Sequence, residues 1–270
     1  MHNISLPQKI EFKPGERENE KVATIEPCYP GYGITIGNSL RRVLLSSLYG
    51  AAVVGVKIKG ADHEFMSLPH VKEDVLQIIL NLKKLRLKVF SDEIIKLELE
   101  VHGEKQAKAG DITPNSQVQI ANPDLVIANI TDMAGNLSME IYVSKGKGYE
   151  SVESREKKNT EIGYIEIDSI FSPVLNVGIN IENVRVGKMT NWEKLVLTIL
   201  TDGTIEPEQA FNESTKILIA QFNSLLKEEA LEAPKEEAAE TAEAEEEVTE
   251  EASEEIKEGA SKRRGRPKKS

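Results

Sequence analysis

A chain of 270 residues, 39% of them hydrophobic, is long enough for one large or two ordinary domains around a real core. No stretch approaches the about 18 uninterrupted apolar residues of a membrane span, the start MHNISLPQKI lacks a basic-then-apolar leader, and the single cysteine, Cys28, excludes a disulfide within the chain, so a soluble, untargeted protein is expected. The formal charge of −11 is uneven: residues 227–260 carry fifteen Glu against three Lys, residues 261–270 carry six Lys and Arg, and residues 1–226 are left at −5.

In chain order, residues 21–25 alternate as a strand, and a helix is expected over about 35–48. AAVVGVKIKG reads as a buried strand, while Val71, Val75, Ile78, Ile79 and Leu82 recur at helical spacing. Residues 94–101, 126–130 and 137–144 read as short strands broken at NPD and MAGN, and GYIEIDSIF, NVGINIENVRV and KLVLTILTDG as further strands. A last helix opens at Pro207, a good first helical residue, and runs to about residue 229. A strand-rich middle framed by two helices implies an α+β body, without an internal repeat. The acidic run after residue 231 has no aromatic side chain, cannot offset its ordering entropy by burial, and reads as a disordered, self-repelling linker.

Three glycines, Gly31, Gly33 and Gly37, precede or open the first helix. Their spacing is one residue too long for a dinucleotide fingerprint and a turn, EPCYP, stands where a buried strand should be, so a tight entry into a helix is the better reading than a phosphate cradle. At 100° per residue, Leu40, Val43, Leu44, Ser47 and Leu48 share one face of this helix, and Arg42 and Leu45 fall on the other side. An exposed Leu beside an Arg fits an ordinary surface helix or an interface anchor. In the last helix, KILIAQFNSLL is apolar over more than one face; burial within one chain and dimerisation both remain open. The four histidines (His2, His63, His70, His102) lack metal-ligand spacing. Glu166 and Asp168 sit two apart on an expected strand, a pair without the third ligand a metal site needs.

PGYGITIGNSLRRVLLSSLYGAAVVGVKIKGADHEF with VKEDVLQIILNLKKL, then VSKGKGY, IDSIFSPVLNVGINIENVRVG and WEKLVLTILTDGTIEPEQAF, closely resemble in order the N-terminal part of the alpha subunit of bacterial-type DNA-directed RNA polymerase. The resemblance covers about residues 9–226. It implies a dimerisation subdomain over about 1–48 and 177–231, interrupted by an inserted β-rich subdomain over 49–176, with a linker at 232–260 and a basic tail at 261–270. It further implies a homodimer held through the first and last helices, on which Leu40, Leu44, Phe211, Leu218, Phe222 and Leu225 fall, and which scaffolds the beta and beta-prime subunits. The family's beta-docking positions match Arg42 and Leu45, with a second patch at His63, Glu64 and Phe65. Lys83, Ser172, Pro173 and Val174 match docking positions for beta or beta-prime. On this resemblance the chain is part of a nucleotidyltransferase but carries no catalytic residue, metal or cofactor; Mg²⁺ would serve another subunit. It would act in the bacterial cytoplasm at the nucleoid, a plastid host remaining open.

A typical family member continues into a small helical DNA-binding domain, where this chain has SKRRGRPKKS. Arg264, Gly265, Arg266 and Pro267, flanked by Lys262, Arg263, Lys268 and Lys269, resemble an AT-hook. The glycine lets the backbone approach the floor of an A·T-rich minor groove, and the arginines enter its negative potential. A linker of this length has a coil span of roughly 30 Å and an extended limit of about 100 Å, enough to reach upstream DNA. A solubilising charged tail is the competing reading. Two other classes are a free-standing AT-hook protein, which would not need Arg42, and a metal enzyme built on Glu166 and Asp168, which would bind a divalent ion.

Overall fold

The computed structural model describes residues 4–155 and 162–226. In chain order its regular elements are β1 (Lys9–Pro14), β2 (Glu20–Cys28), α1 (Tyr32–Ser46), β3 (Tyr49–Ile58), α2 (Val75–Leu82), β4 (Leu87–Val89), β5 (Ile95–His102), β6 (Gln106–Lys108), β7 (Val118–Ile120), β8 (Val126–Asn129), β9 (Asn136–Lys147), β10 (Tyr149–Glu150), β11 (Tyr164–Glu166), β12 (Ser169–Ile170), β13 (Val174–Val186), β14 (Met189–Thr201) and α3 (Pro207–Asn223). This is the α+β class, with strands dominant. The chain divides into two compact units, Met1–Leu218 and Ile219–Ser270.

Within the first unit, β1, β2, β14 and β13 form a four-stranded antiparallel sheet in that order. Leu195, Leu197 and Ile199 alternate along β14 and are fully buried, the period-2 signature of a sheet with one covered face. That face is covered by α1, whose Leu40 and Leu44 pack with Leu48, Ala23, Ile25 and Phe211 into one core. A second, separate core fills the five-strand array β5-β9-β3-β4-β7, on whose β3 the short β11 also pairs. Here β5 alternates strictly between buried and exposed, and α2 contributes Val75, Ile78, Ile79 and Leu82. Every buried member of this core lies between Val53 and Ile167, and the first core resumes at Val174.

The three glycines each have a stated use. Gly31 is left-handed, φ 83°, ahead of the first turn. A Cβ on Gly33 would sit 2.7 Å from Glu193 Oε2, and one on Gly37 would sit 2.9 Å from Leu195 Cδ1, so both allow α1 to lie against β14. Glu193 accepts the N–H groups of Gly31 (2.8 Å) and Gly33 (2.9 Å). The protein's own carboxylate therefore occupies the helix N-terminus, where orphan donors and the macrodipole favour an anion. Glu193→Gln keeps one acceptor of the two and loses the charge; the urea midpoint should report a loss of about 1–2 kcal/mol, with no change in secondary structure.

Several boundaries differ from the sequence expectation. The first helix starts at Tyr32 rather than near 35, because its cap comes from Glu193 on a distant strand. Helix α2 starts at Val75 because Asp74 caps it, its side chain accepting from Gln77 N–H at 2.7 Å; Val71, on the same helical period, instead bridges to Ile130. Helix α3 ends at Asn223, followed by the turn through Ser224, and position 229 lies outside the described residues. The edge strand β1 and the two- to four-residue strands were not anticipated, except β8 within 126–130 and β11 and β12, which divide GYIEIDSIF between them.

Candidate docking surfaces

Helix α1 separates its residues as its periodicity demands. Leu40 and Leu44 are buried, as is Leu48 just beyond it, while Arg42 is exposed and has no ion-pair partner among the described residues. Leu45 is half-buried and packs against the same core as Leu44, so it is not wholly on the outer side as the helical wheel implied. The hydroxyl of Ser46 donates to the carbonyl of Arg42 at 2.7 Å, tying down the turn that carries Arg42.

The second set of expected docking residues comes from segments far apart in sequence. His63, Glu64 and Lys83 line one open concavity of about 890 Å³ together with Leu76, Ile79, Val152, Glu166 and Asp168. Phe65 is 78% exposed, its N–H donates to His63 Nδ1 at 3.3 Å, and the two rings lie 6.5 Å apart. Asp168 accepts the Val152 N–H at 2.9 Å and faces Lys83 Nζ at 3.7 Å. The Val152 hydrogen bond foremost, then the nearby Lys83, hold its carboxyl below the usual carboxylate range. Asp168 is thus engaged in fixing the loop after β10 and the end of α2, and among the described residues no three metal-binding side chains gather around it or around Glu166.

Of the other expected docking residues, Ser172 is half-buried, while Pro173 and Val174 are buried. The Ser172 hydroxyl donates to the Val174 carbonyl at 3.2 Å, and the Pro173 carbonyl accepts from Asp202 N–H at 3.0 Å. This segment presents backbone and one hydroxyl rather than apolar side chains. The six residues expected at a dimer contact also divide. Leu40, Leu44 and Phe211 lie in the chain's own core and Leu218 is half-buried beside it, whereas Phe222 and Leu225 are 58% and 78% exposed. Ile219 and Leu226, which belong to the same apolar run KILIAQFNSLL, are exposed with them. Arg263, Arg264, Gly265, Arg266, Pro267 and Lys268 lie outside the described residues. Cys28 is buried, and burial pushes its thiol up, away from reactivity. Among the described residues no helix is long and apolar enough to cross a membrane.

Comparison with known proteins places the chain in a class. Residues 56–172 match the family described as the RNA polymerase Rpb3/RpoA insert domain. The chain is 53% identical over 194 residues to the DNA-directed RNA polymerase subunit alpha of Desulforamulus reducens, covering 72% of this chain and 61% of that one. It is 48% identical over 202 residues to the corresponding subunit of Moorella thermoacetica (75% and 64%), and 48% identical over 211 residues to that of Oceanobacillus iheyensis (77% and 67%). The match thus spans under two thirds of the length of the first two of these relatives. The chain belongs to the family of bacterial DNA-directed RNA polymerase alpha subunits.

Proposed function

We propose that this chain is the assembly scaffold of a DNA-directed RNA polymerase, a homodimer that recruits the beta and beta-prime subunits for DNA-templated transcription. The observation that carries the reading is the division of labour on α1, where Leu40 and Leu44 anchor the helix to β14 while Arg42 is left exposed on the same turns. An exposed Arg next to a partly covered Leu on a rigid element is the kind of anchor around which interfaces concentrate their binding energy. A C₂ dimer built on the exposed apolar residues of α3 would offer two such patches to two different large subunits. The two separate cores support subdomains at about 1–48 with 177–231 and at 49–176. Catalysis and its Mg²⁺ would belong to another subunit, in the bacterial cytoplasm. The test is reconstitution with the matching beta subunit, with mass read by light scattering: a complex of two copies of this chain with one beta is expected, and no complex would refute the reading.

The basic tail would act as a DNA contact through Arg264, Gly265 and Arg266, with flanking lysines holding phosphates in a salt-dependent way. A peptide of residues 255–270 is expected to bind an A·T-rich duplex at least about tenfold more tightly than a G·C-rich one, by fluorescence anisotropy at physiological salt. Equal affinities would leave the tail as a charged solubiliser.

A further inference from the structure

Where α1 ends, the surface continues into a set of cations and rings that docking at Arg42 does not use. Tyr49 opens β3 and is 59% exposed, directly opposite Lys147 on β9. Lys147 Nζ lies 4.1 Å from the centre of the Tyr49 ring and Lys145 Nζ lies 5.2 Å from it. On β4, Lys88 lies over the exposed ring of Phe90, at 5.7 Å. Among the described residues neither Lys147 nor Lys88 has a carboxylate partner, and Lys145 has only the highly exposed Asp92 at 2.9 Å. Lys88, Lys145 and Tyr49 border a cleft of about 420 Å³ with a floor at Ala51 and Leu87. The strip is continuous with α1, because Gly148 beside Lys147 comes so close to the helix end that a Cβ on it would lie 3.5 Å from the Ser46 carbonyl, one turn past Arg42.

We infer that Tyr49, Lys145, Lys147 and Lys88 form a docking track for an acidic segment of the beta subunit, extending the Arg42 contact along the end of the second sheet. The inference rests on the scaffold reading above. Exposed aromatic rings that already hold cations in place are pre-organised to receive carboxylates above and apolar side chains beside them. A polypeptide fits better than a nucleic acid. The far wall of the cleft carries Glu213, and Asp92 pairs with Lys145, so an unbroken phosphate backbone would meet carboxylates. Discrete acidic side chains can be spaced to avoid them.

The full chain, as its dimer, is titrated with purified beta subunit across a range of salt concentrations. K145E/K147E is expected to weaken binding by about tenfold or more and to flatten its salt dependence, while K145R/K147R stays near wild type. A photoreactive phenylalanine replacing Tyr49 in the assembled polymerase should crosslink to an Asp/Glu-rich stretch of beta. Binding by K145E/K147E within twofold of wild type, or a crosslink to nucleic acid or another subunit, overturns the inference. If R42A loses beta while K145E/K147E keeps it, the scaffold reading stands without this track; if wild type itself does not bind beta, both fall.

Discussion

With Glu in place of Phe222, the protein is expected to run as a folded monomer, its dimer dissociation constant raised by about 10³-fold or more. Phe222 is 58% exposed in the single chain and belongs to an exposed apolar set with Ile219, Leu225 and Leu226. Burying a Phe contributes roughly 2 kcal/mol, and leaving a carboxylate against an apolar partner adds a further penalty. In a two-fold interface each substitution counts twice, so a loss of about 4 kcal/mol or more follows from one change in sequence. Circular dichroism should remain that of wild type, because Phe222 is outside both cores. Sedimentation that still reports a dimer would place the contact elsewhere.

Leu44→Ala should have the largest effect on stability, about 3 kcal/mol, with a fall in Tm of roughly 6–12 °C. Leu44 has no exposed surface and shares a core with Leu40 one turn back on α1 and with Leu195, Leu197 and Phe211, which β14 and α3 hold in place, so the vacated space cannot close easily. Leu45→Ala, one residue on, makes the informative contrast. Its half-buried side chain should cost only about 1 kcal/mol in the urea midpoint while weakening beta capture. Equal stability losses at the two positions would mean that α1 does not distinguish an inner from an outer side there.

Much of this organisation was legible because it follows short periods. The strict alternation of β5, the Leu40/Leu44/Leu48 stripe and the proline start of α3 each depend on neighbours within one or two turns. The cap on α1 was not legible, since Glu193 is 162 residues from the Gly31 N–H it accepts. Leu45 misled for a related reason: a helical wheel counts angles about one axis, but the core wraps around α1 far enough to half-cover it. Val71 shared the period of α2 yet precedes the Asp74 cap, showing a cap overriding periodicity. The short strands β6, β7 and β10 are too brief for a period-2 signal and exist because distant partners hydrogen-bond them.

The same contrast applies to the docking residues. Arg42 could be placed from the helix alone, whereas the meeting of His63, Lys83 and Asp168 in one concavity depends on how α2 and the segment after β11 fold onto β3. The lysines stacked on Tyr49 were present in the sequence as the alternating Lys145 and Lys147 of VSKGKGY, but their ring partner begins a strand far earlier in the chain. That Pro173 and Val174 are buried in the single chain could not be read from the sequence, because their cover comes from elements distant along it.

The most direct test of the scaffold account is to purify wild type and Arg42→Ala with the matching beta and beta-prime subunits and to read the masses by light scattering. The account predicts that both form dimers, that wild type captures beta and then beta-prime, and that Arg42→Ala captures neither. An Arg42→Ala dimer that assembles the complete polymerase as readily as wild type would contradict it.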